Sequence, residues 1–196
     1  IIFGVNTGIR VQGMLNLKWE DCKCRDKRND YLAKGIERKW GKDFFNTLDR
    51  YYTINNVKDK TGVHQNIGMG GSYFALKKIR EIKEEYYGKK ESESDYIFNV
   101  KTFANGFNSL LEQSKLKSVK IGDKWKRRDA VSLRHTYIVF QIQNNISEFI
   151  IGKNVGTCGK MIYENYTKNL KTLALVDRLT NVNSTSQRKS RLVVIK

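Results

Sequence analysis

One segment limits the architecture more than any other. Residues 50–69 read RYYTINNVKDKTGVHQNIGM, with strand-forming residues on both sides of a turn signal. Residues 51–57 are rich in β-branched and aromatic types, KDKTG supplies the turn, and residues 63–69 resume the strand pattern. This predicts an antiparallel hairpin with Lys60 at its tip. Elsewhere the apolar spacing is helical. Residues 72–87 place Leu76, Ile79, Ile82 and Tyr86 on one stripe, and residues 100–113 turn Phe103, Phe107, Leu110 and Leu111 inward. Further helices are predicted over 132–144, 147–155, 157 to about 168, and 170–179. Residues 8–19 read as a short amphipathic helix carrying Ile9, Met14, Leu15 and Leu17. The fold class that follows is α+β, mainly helical, with a small antiparallel sheet.

The connections are polar. Residues 21–49 are charged and irregular and read as an insertion or long loop; GKKESESD breaks the 72–87 helix, and YIFN (96–99) reads as a short buried connector. Residues 115–128, KLKSVKIGDKWKRR, read as a basic linker in which seven cations face one aspartate. The chain has no proline, so helix stops and turns must rest on Gly, Asn, Asp and Ser.

Charge narrows the function. Lys and Arg number 37 against 20 Asp and Glu, a net +17 over 196 residues. A fold does not need that excess, and self-repulsion makes it costly. Polyanion binding is the simplest reason to keep it, and nucleic acid is the commonest polyanion. No apolar run approaches the roughly 18 residues of a membrane span, and no signal peptide is visible. The three cysteines (Cys22, Cys24, Cys158) lack the spacing of a zinc site, which suits a reduced, cytoplasmic protein. The abrupt start, IIFGVNTGIR, reads as a piece of a longer chain.

Four polar residues stand at the ends of otherwise apolar elements: Arg10, Lys60, Arg134 and Tyr166. Together they suit chemistry at a phosphodiester. Two guanidiniums can clamp non-bridging oxygens and offset transition-state charge. A lysine on a hairpin tip can protonate a departing 5′ oxygen, and a tyrosine can attack as a covalent nucleophile. The residues alone leave Lys58 as a rival to Lys60, and Tyr163 as a rival to Tyr166. Thr157 has the residue type of a helix N-cap as well as of a site hydroxyl.

In order along the chain, TGIRVQGMLNLKWED (7–21), KTG (60–62), SLRHTY (132–137) and VGTCGKMIYENYTK (155–168) resemble the boxes of the tyrosine recombinases, the phage integrase family. The resemblance reaches to about residue 179. It implies a catalytic domain over 1–181, a basic tail over 182–196 and a separate N-terminal DNA-binding domain outside this chain. It implies Arg10 and Arg134 as phosphate clamp, Lys60 as acid, Tyr166 as nucleophile, and Thr157 in the position after the glycine of the last box. Arg134 would open a buried helix whose free N–H groups also favour an anion, with His135 beside it in a structural role. The implied partners are double-stranded DNA and three further copies of the chain, with no cofactor, metal or membrane, in a bacterial or phage-encoded nucleoid setting. Lys115, Lys117, Lys120, Lys124, Lys126, Arg127 and Arg128, with Trp125 among them, would meet the DNA backbone, and the tail would dock on a neighbouring subunit.

The chain departs from the family at named places. Val131 stands where a polar residue is usual three positions before the second arginine, and Gly13 where an acid is usual after the first. Residues 65–68 read QNIG in place of R-x-V-P, and Thr157 replaces a His or Trp. These departures open a second expectation, a DNA-binding relative with weak or lost chemistry. A third is a monomeric topoisomerase-like enzyme of the same chemistry.

Overall fold

The computed structural model describes residues 1–26, 50–60, 62–99 and 103–167. The predicted helix at 170–179, the tail at 182–196, residues 27–49 of the insertion and the start of the predicted helix at 100 lie outside the described residues. The elements run α1 (Ile2–Thr7), α2 (Val11–Leu15), a 3-10 turn (Trp19–Asp21), β1 (Cys22–Asp26), β2 (Arg50–Asp59), β3 (Gly62–Gly68) and α3 (Gly70–Tyr87). Then follow α4 (Phe103–Gln113), β4 (Ser118–Ile121), β5 (Lys124–Arg127), α5 (Val131–Gln143), α6 (Glu148–Val155), α7 (Gly159–Ile162) and a π-helical turn (Tyr163–Thr167). Among the described residues the fold is α+β, with helices and two small antiparallel sheets. No helix among the described residues is long and apolar enough to cross a membrane.

Three local readings are corrected. The helix expected over 8–19 is shorter, α2 over Val11–Leu15, and a separate helix α1 precedes it, because Gly8 ends α1 with φ 66 and Arg10 is extended at φ −64, ψ 149. The 21–49 segment begins with a strand: β1 pairs antiparallel with β2, Cys24 opposite Tyr52. Its polar CKCRD sequence hides that role, yet charged residues are what an exposed sheet edge carries. The basic 115–128 segment is a hairpin, with Lys120 opposite Trp125 and Val119 opposite Lys126. Gly122 takes φ 60 at its turn.

The three-stranded sheet, ordered β1-β2-β3, has a bulge between Ile54 and Val57. Asn56 occupies it at φ 54, a left-handed conformation that Asn tolerates better than most side chains, and its Nδ2 donates to Asp21 Oδ1 at 3.2 Å. Asp21 Oδ2 also accepts from the Lys18 backbone N–H at 3.0 Å, so this aspartate ties the 3-10 turn to the sheet. Past the bulge, Val57 is buried. It joins Phe3, Ile9, Leu17, Trp19, Ile54 and Leu76 in the main core. A second core joins Tyr137, Ile138 and Ile142 of α5 to Ile151, Val155 and Ile162. A third packs Leu133 on Phe107 and Leu111 of α4.

Some apolar residues expected inside point outward. Ile82 and Tyr86 are exposed at 52% and 81%, because α3, at 18 residues and about 27 Å, outruns the core it packs on. Leu110 is likewise exposed.

Candidate active site

Two glycine-capped helix ends hold the arginines. Gly8 closes α1 and Gly156 closes α6, both with positive φ (66 and 69). A Cβ at Gly8 would sit 2.9 Å from Val155 Cγ1, and one at Gly156 would sit 2.5 Å from His64 Cε1, so neither position has room for a side chain. The carbonyls at these ends have no intrahelical partner and carry the negative end of the helix dipole. Arg134 Nη1 donates to Gly8 O at 3.1 Å and to Val155 O at 2.5 Å. Arg10 Nη1 donates to Gly156 O at 3.3 Å and to Asp59 Oδ2 at 2.5 Å. Chain segments far apart in sequence are thereby laced around two cations.

Arg134 is 8% exposed. Burial, and then the neighbouring Arg10 charge, push its guanidinium down to about 10, still protonated at neutral pH. Both of its bonds use Nη1. A guanidinium has five N–H donors, so the fork keeps donors for an anion. One expectation about this helix start changes. Asp129 Oδ1 accepts the Val131 N–H at 2.8 Å, so an acid of the chain already occupies an end expected to attract an anion. The Arg134 side chain reaches the C-terminal ends of two other helices instead.

Tyr166 approaches from the π-helical turn, a geometry that often marks functional sites. It is half-buried, and its hydroxyl shares a hydrogen bond with His135 Nδ1. Burial raises the phenol above its usual pKa, and the Arg134 charge opposes that. Lys60 sits in the turn between β2 and β3, next in sequence to Asp59. A cleft of about 440 Å³ is lined by Arg10, Lys60, Val131, Arg134, His135, Thr157 and Tyr166, among others. The structure thus brings all five predicted catalytic positions to one cavity. Lys58 does not line it, and Tyr163, 54% exposed, faces a separate groove with Phe149 and Lys160. The N-cap of α7 is Cys158, so Thr157 faces the cleft without capping that helix.

No family model matches the chain, and no curated protein or solved structure matches it significantly.

The seven basic residues of the 115–128 segment do not line the cleft. Lys120, Lys124, Lys126 and Arg127 are exposed on the β4–β5 hairpin, and Trp125 is 69% exposed beside them. Lys120, Trp125 and Arg127 share one face of that hairpin by its register. Lys115 is exposed just before it, whereas Lys117 is tied to Asn108 and Arg128 Nη1 donates to Leu116 O at 3.3 Å. Among the described residues, no group of three or more His, Cys, Asp or Glu is placed to hold a metal ion.

Sequence reasoning missed four contributors. Asp59 has a fully buried side chain and supplies the carboxylate beside Arg10 that Gly13 does not. His64 packs on Gly156, and its buried Nε2 has no hydrogen-bond partner. Burial lowers its pKa, Asp59 opposes this, and Arg134 and Arg10 reinforce it. Asn66 Nδ2 donates to Thr7 O at 2.8 Å and to Asn154 O at 2.7 Å. Asn154 in turn donates to Tyr137 Oη at 2.8 Å and accepts the Ile67 N–H at 2.7 Å. This network fastens β3 to α6, the strand to the helix end that holds both arginines. A sequence signal was present at Asn66, a polar residue inside a run otherwise spaced like a strand.

Asp59→Ala removes the buried carboxylate that pairs with Arg10. The variant is expected to lose about 3–5 kcal/mol of stability, because breaking a buried pair strands one ion. Urea unfolding of the variant against the native chain measures this. A loss below about 1 kcal/mol would mean that solvent replaces the carboxylate at Arg10.

Proposed function

We propose that the chain is the catalytic domain of a tyrosine recombinase that cuts and rejoins DNA through a covalent 3′-phosphotyrosyl link. One observation carries the reading: two arginines, a lysine and a tyrosine, from four separate elements, line the same cleft. Arg10 and Arg134 hold the non-bridging oxygens of one backbone phosphate, where their forks offset the charge that develops at phosphorus. Tyr166 Oη attacks the phosphorus, and the P–O5′ bond breaks. Lys60 gives the departing 5′ oxygen its proton. Attack by a 5′-hydroxyl from another strand reverses the step and conserves the bond. Thr157 adds a hydroxyl near the phosphate. Four protomers on two DNA sites form the working assembly.

The β4–β5 hairpin gives this reading its grip on DNA. Exposed lysines and an arginine meet phosphates, and Trp125 stands exposed among them. Replacing Lys120, Lys124, Lys126 and Arg127 by Gln is expected to flatten the salt dependence of binding by about 0.9 in log–log slope for each phosphate left unneutralised. Thermal stability should hold, because these side chains are exposed. Fluorescence anisotropy across a salt series checks it; an unchanged slope would place the DNA elsewhere.

Val131, half-exposed in the cleft, favours a second reading. A valine neither donates nor accepts a proton, and a DNA-binding relative with lost chemistry would tolerate it. Nicked suicide duplexes, drawn from sequences flanking the source gene, separate the two. The recombinase reading requires a denaturant-resistant protein–DNA adduct at a 3′ phosphate, with a free 5′-hydroxyl released. Binding without an adduct would support the relative.

A further inference from the structure

We propose that His135 is the general base for Tyr166, taking over a proton-handling task that Val131 cannot perform. This rests on the recombinase reading of the same cleft. The geometry carries it: His135 Nδ1 and the Tyr166 hydroxyl are direct hydrogen-bond partners, with ring centroids 5.5 Å apart and planes inclined at 46°. His135 lies one residue after Arg134 on α5, and both line the cleft with Tyr166. A nucleophile and a base within hydrogen-bond reach is the arrangement that activates a weak oxygen nucleophile. Helix α5 therefore mounts two functions on successive residues. Arg134 points inward to the helix ends that fix it, and His135, exposed, meets the incoming phenol.

In the neutral tautomer with its proton on Nε2, the imidazole accepts the phenol's hydrogen at Nδ1. As the Tyr166 Oη–P bond forms and the P–O5′ bond breaks, the phenolic proton passes to Nδ1. The 5′ oxygen takes a separate proton from Lys60. When the 5′-hydroxyl of another strand attacks the phosphorus, its proton passes to Lys60 and the imidazolium returns its proton to Tyr166, so no proton is gained or lost over the cycle. Desolvation, rather than the charged neighbours, favours a neutral starting ring. Partial desolvation at the cleft lowers the His135 pKa from its usual value, Asp129 before α5 opposes that, and Arg134 on the same helix supports it. Arg10 and Lys60 add positive charge on the cleft's far elements, and Tyr166 is the one titratable group that the π-helical turn contributes to the cleft. The base is thus available at neutral pH and is lost as pH falls through a value below about 6.5.

The test measures the rate of covalent adduct formation on a nicked suicide duplex from pH 5 to 8, for the native chain, His135→Gln and His135→Ala. His135→Gln is expected to slow the reaction about 10²–10⁴-fold at neutral pH. It should also abolish the acidic limb of the profile and leave the melting temperature unchanged. Added imidazole is expected to restore part of the rate to His135→Ala, since the position is exposed. Native-like rates in His135→Gln, or a slowed variant that keeps the acidic limb and ignores imidazole, would overturn the assignment alone. No adduct from the native chain on DNA it binds would overturn the recombinase reading, and this assignment with it.

Discussion

Arg134→Ala is expected to abolish nearly all covalent product while also destabilising the fold. Removing a charge-stabilising donor from a preorganised site typically costs about 10²–10³ in rate. The second effect comes from the native structure, because the Arg134 guanidinium is the partner of Gly8 O and Val155 O. Each buried carbonyl left unpaired costs about 1–3 kcal/mol. The same side chain therefore serves the resting fold and the reaction. Arg134→Lys separates the two roles. A lysine keeps the charge but lacks the planar fork that bonds two carbonyls and a phosphate together. It should recover part of the stability and little of the product. Urea unfolding and adduct yield, measured on both variants, check this. A stable Arg134→Ala protein with native adduct yield would remove Arg134 from the site.

Tyr166→Phe is expected to give no adduct at any pH, with stability changed by about 1 kcal/mol or less, the worth of its single bond to His135. The phenol is the reacting group, so its removal leaves no slower path to the same covalent link. Tyr163→Phe is the matched control. Tyr163 is exposed on a different groove, and neither rate nor stability should move. An adduct that survives Tyr166→Phe and vanishes in Tyr163→Phe would reverse the assignment.

The parts of the structure legible from sequence were those with a period. Residues 50–69 announced a hairpin, and β2 and β3 are its strands. Helices α3 to α6 lie within a few residues of the apolar spacing that predicted them. The β4–β5 hairpin was hidden because its outward residues are cations on both faces. Its signal was the Gly-Asp pair at 122–123, where Gly122 takes the positive φ of a tight turn. Strand β1 was hidden because an edge strand with three exposed residues in a row, Lys23 to Arg25, has no apolar alternation to read.

The site divides in the same way. Arg10, Lys60, Arg134 and Tyr166 could be singled out because polar groups at the ends of apolar elements are conspicuous. Their supports could not. Asp59 reaches Arg10 across 49 positions, and Gly156 O reaches it across 146. Nothing local at Asp59 distinguishes it from an ordinary turn acid, and only tertiary packing buries it. His135 illustrates the limit. Its sequence position beside Arg134 was plain, but its hydrogen bond to a tyrosine 31 residues away depends on where the π-helical turn sets Tyr166.

The most direct measurement is to locate the covalent bond. The longest available form of the chain is trapped on nicked suicide duplex, the DNA is digested to a mononucleotide remnant, and the protein is cleaved with trypsin. Residues 161–168, MIYENYTK, then form one peptide that holds both tyrosines. Fragment masses within it place the remnant. The account predicts a nucleotide on Tyr166 through its 3′ phosphate and an unmodified Tyr163. A remnant on Tyr163, or a peptide that stays unmodified although the same duplex is bound, would contradict it.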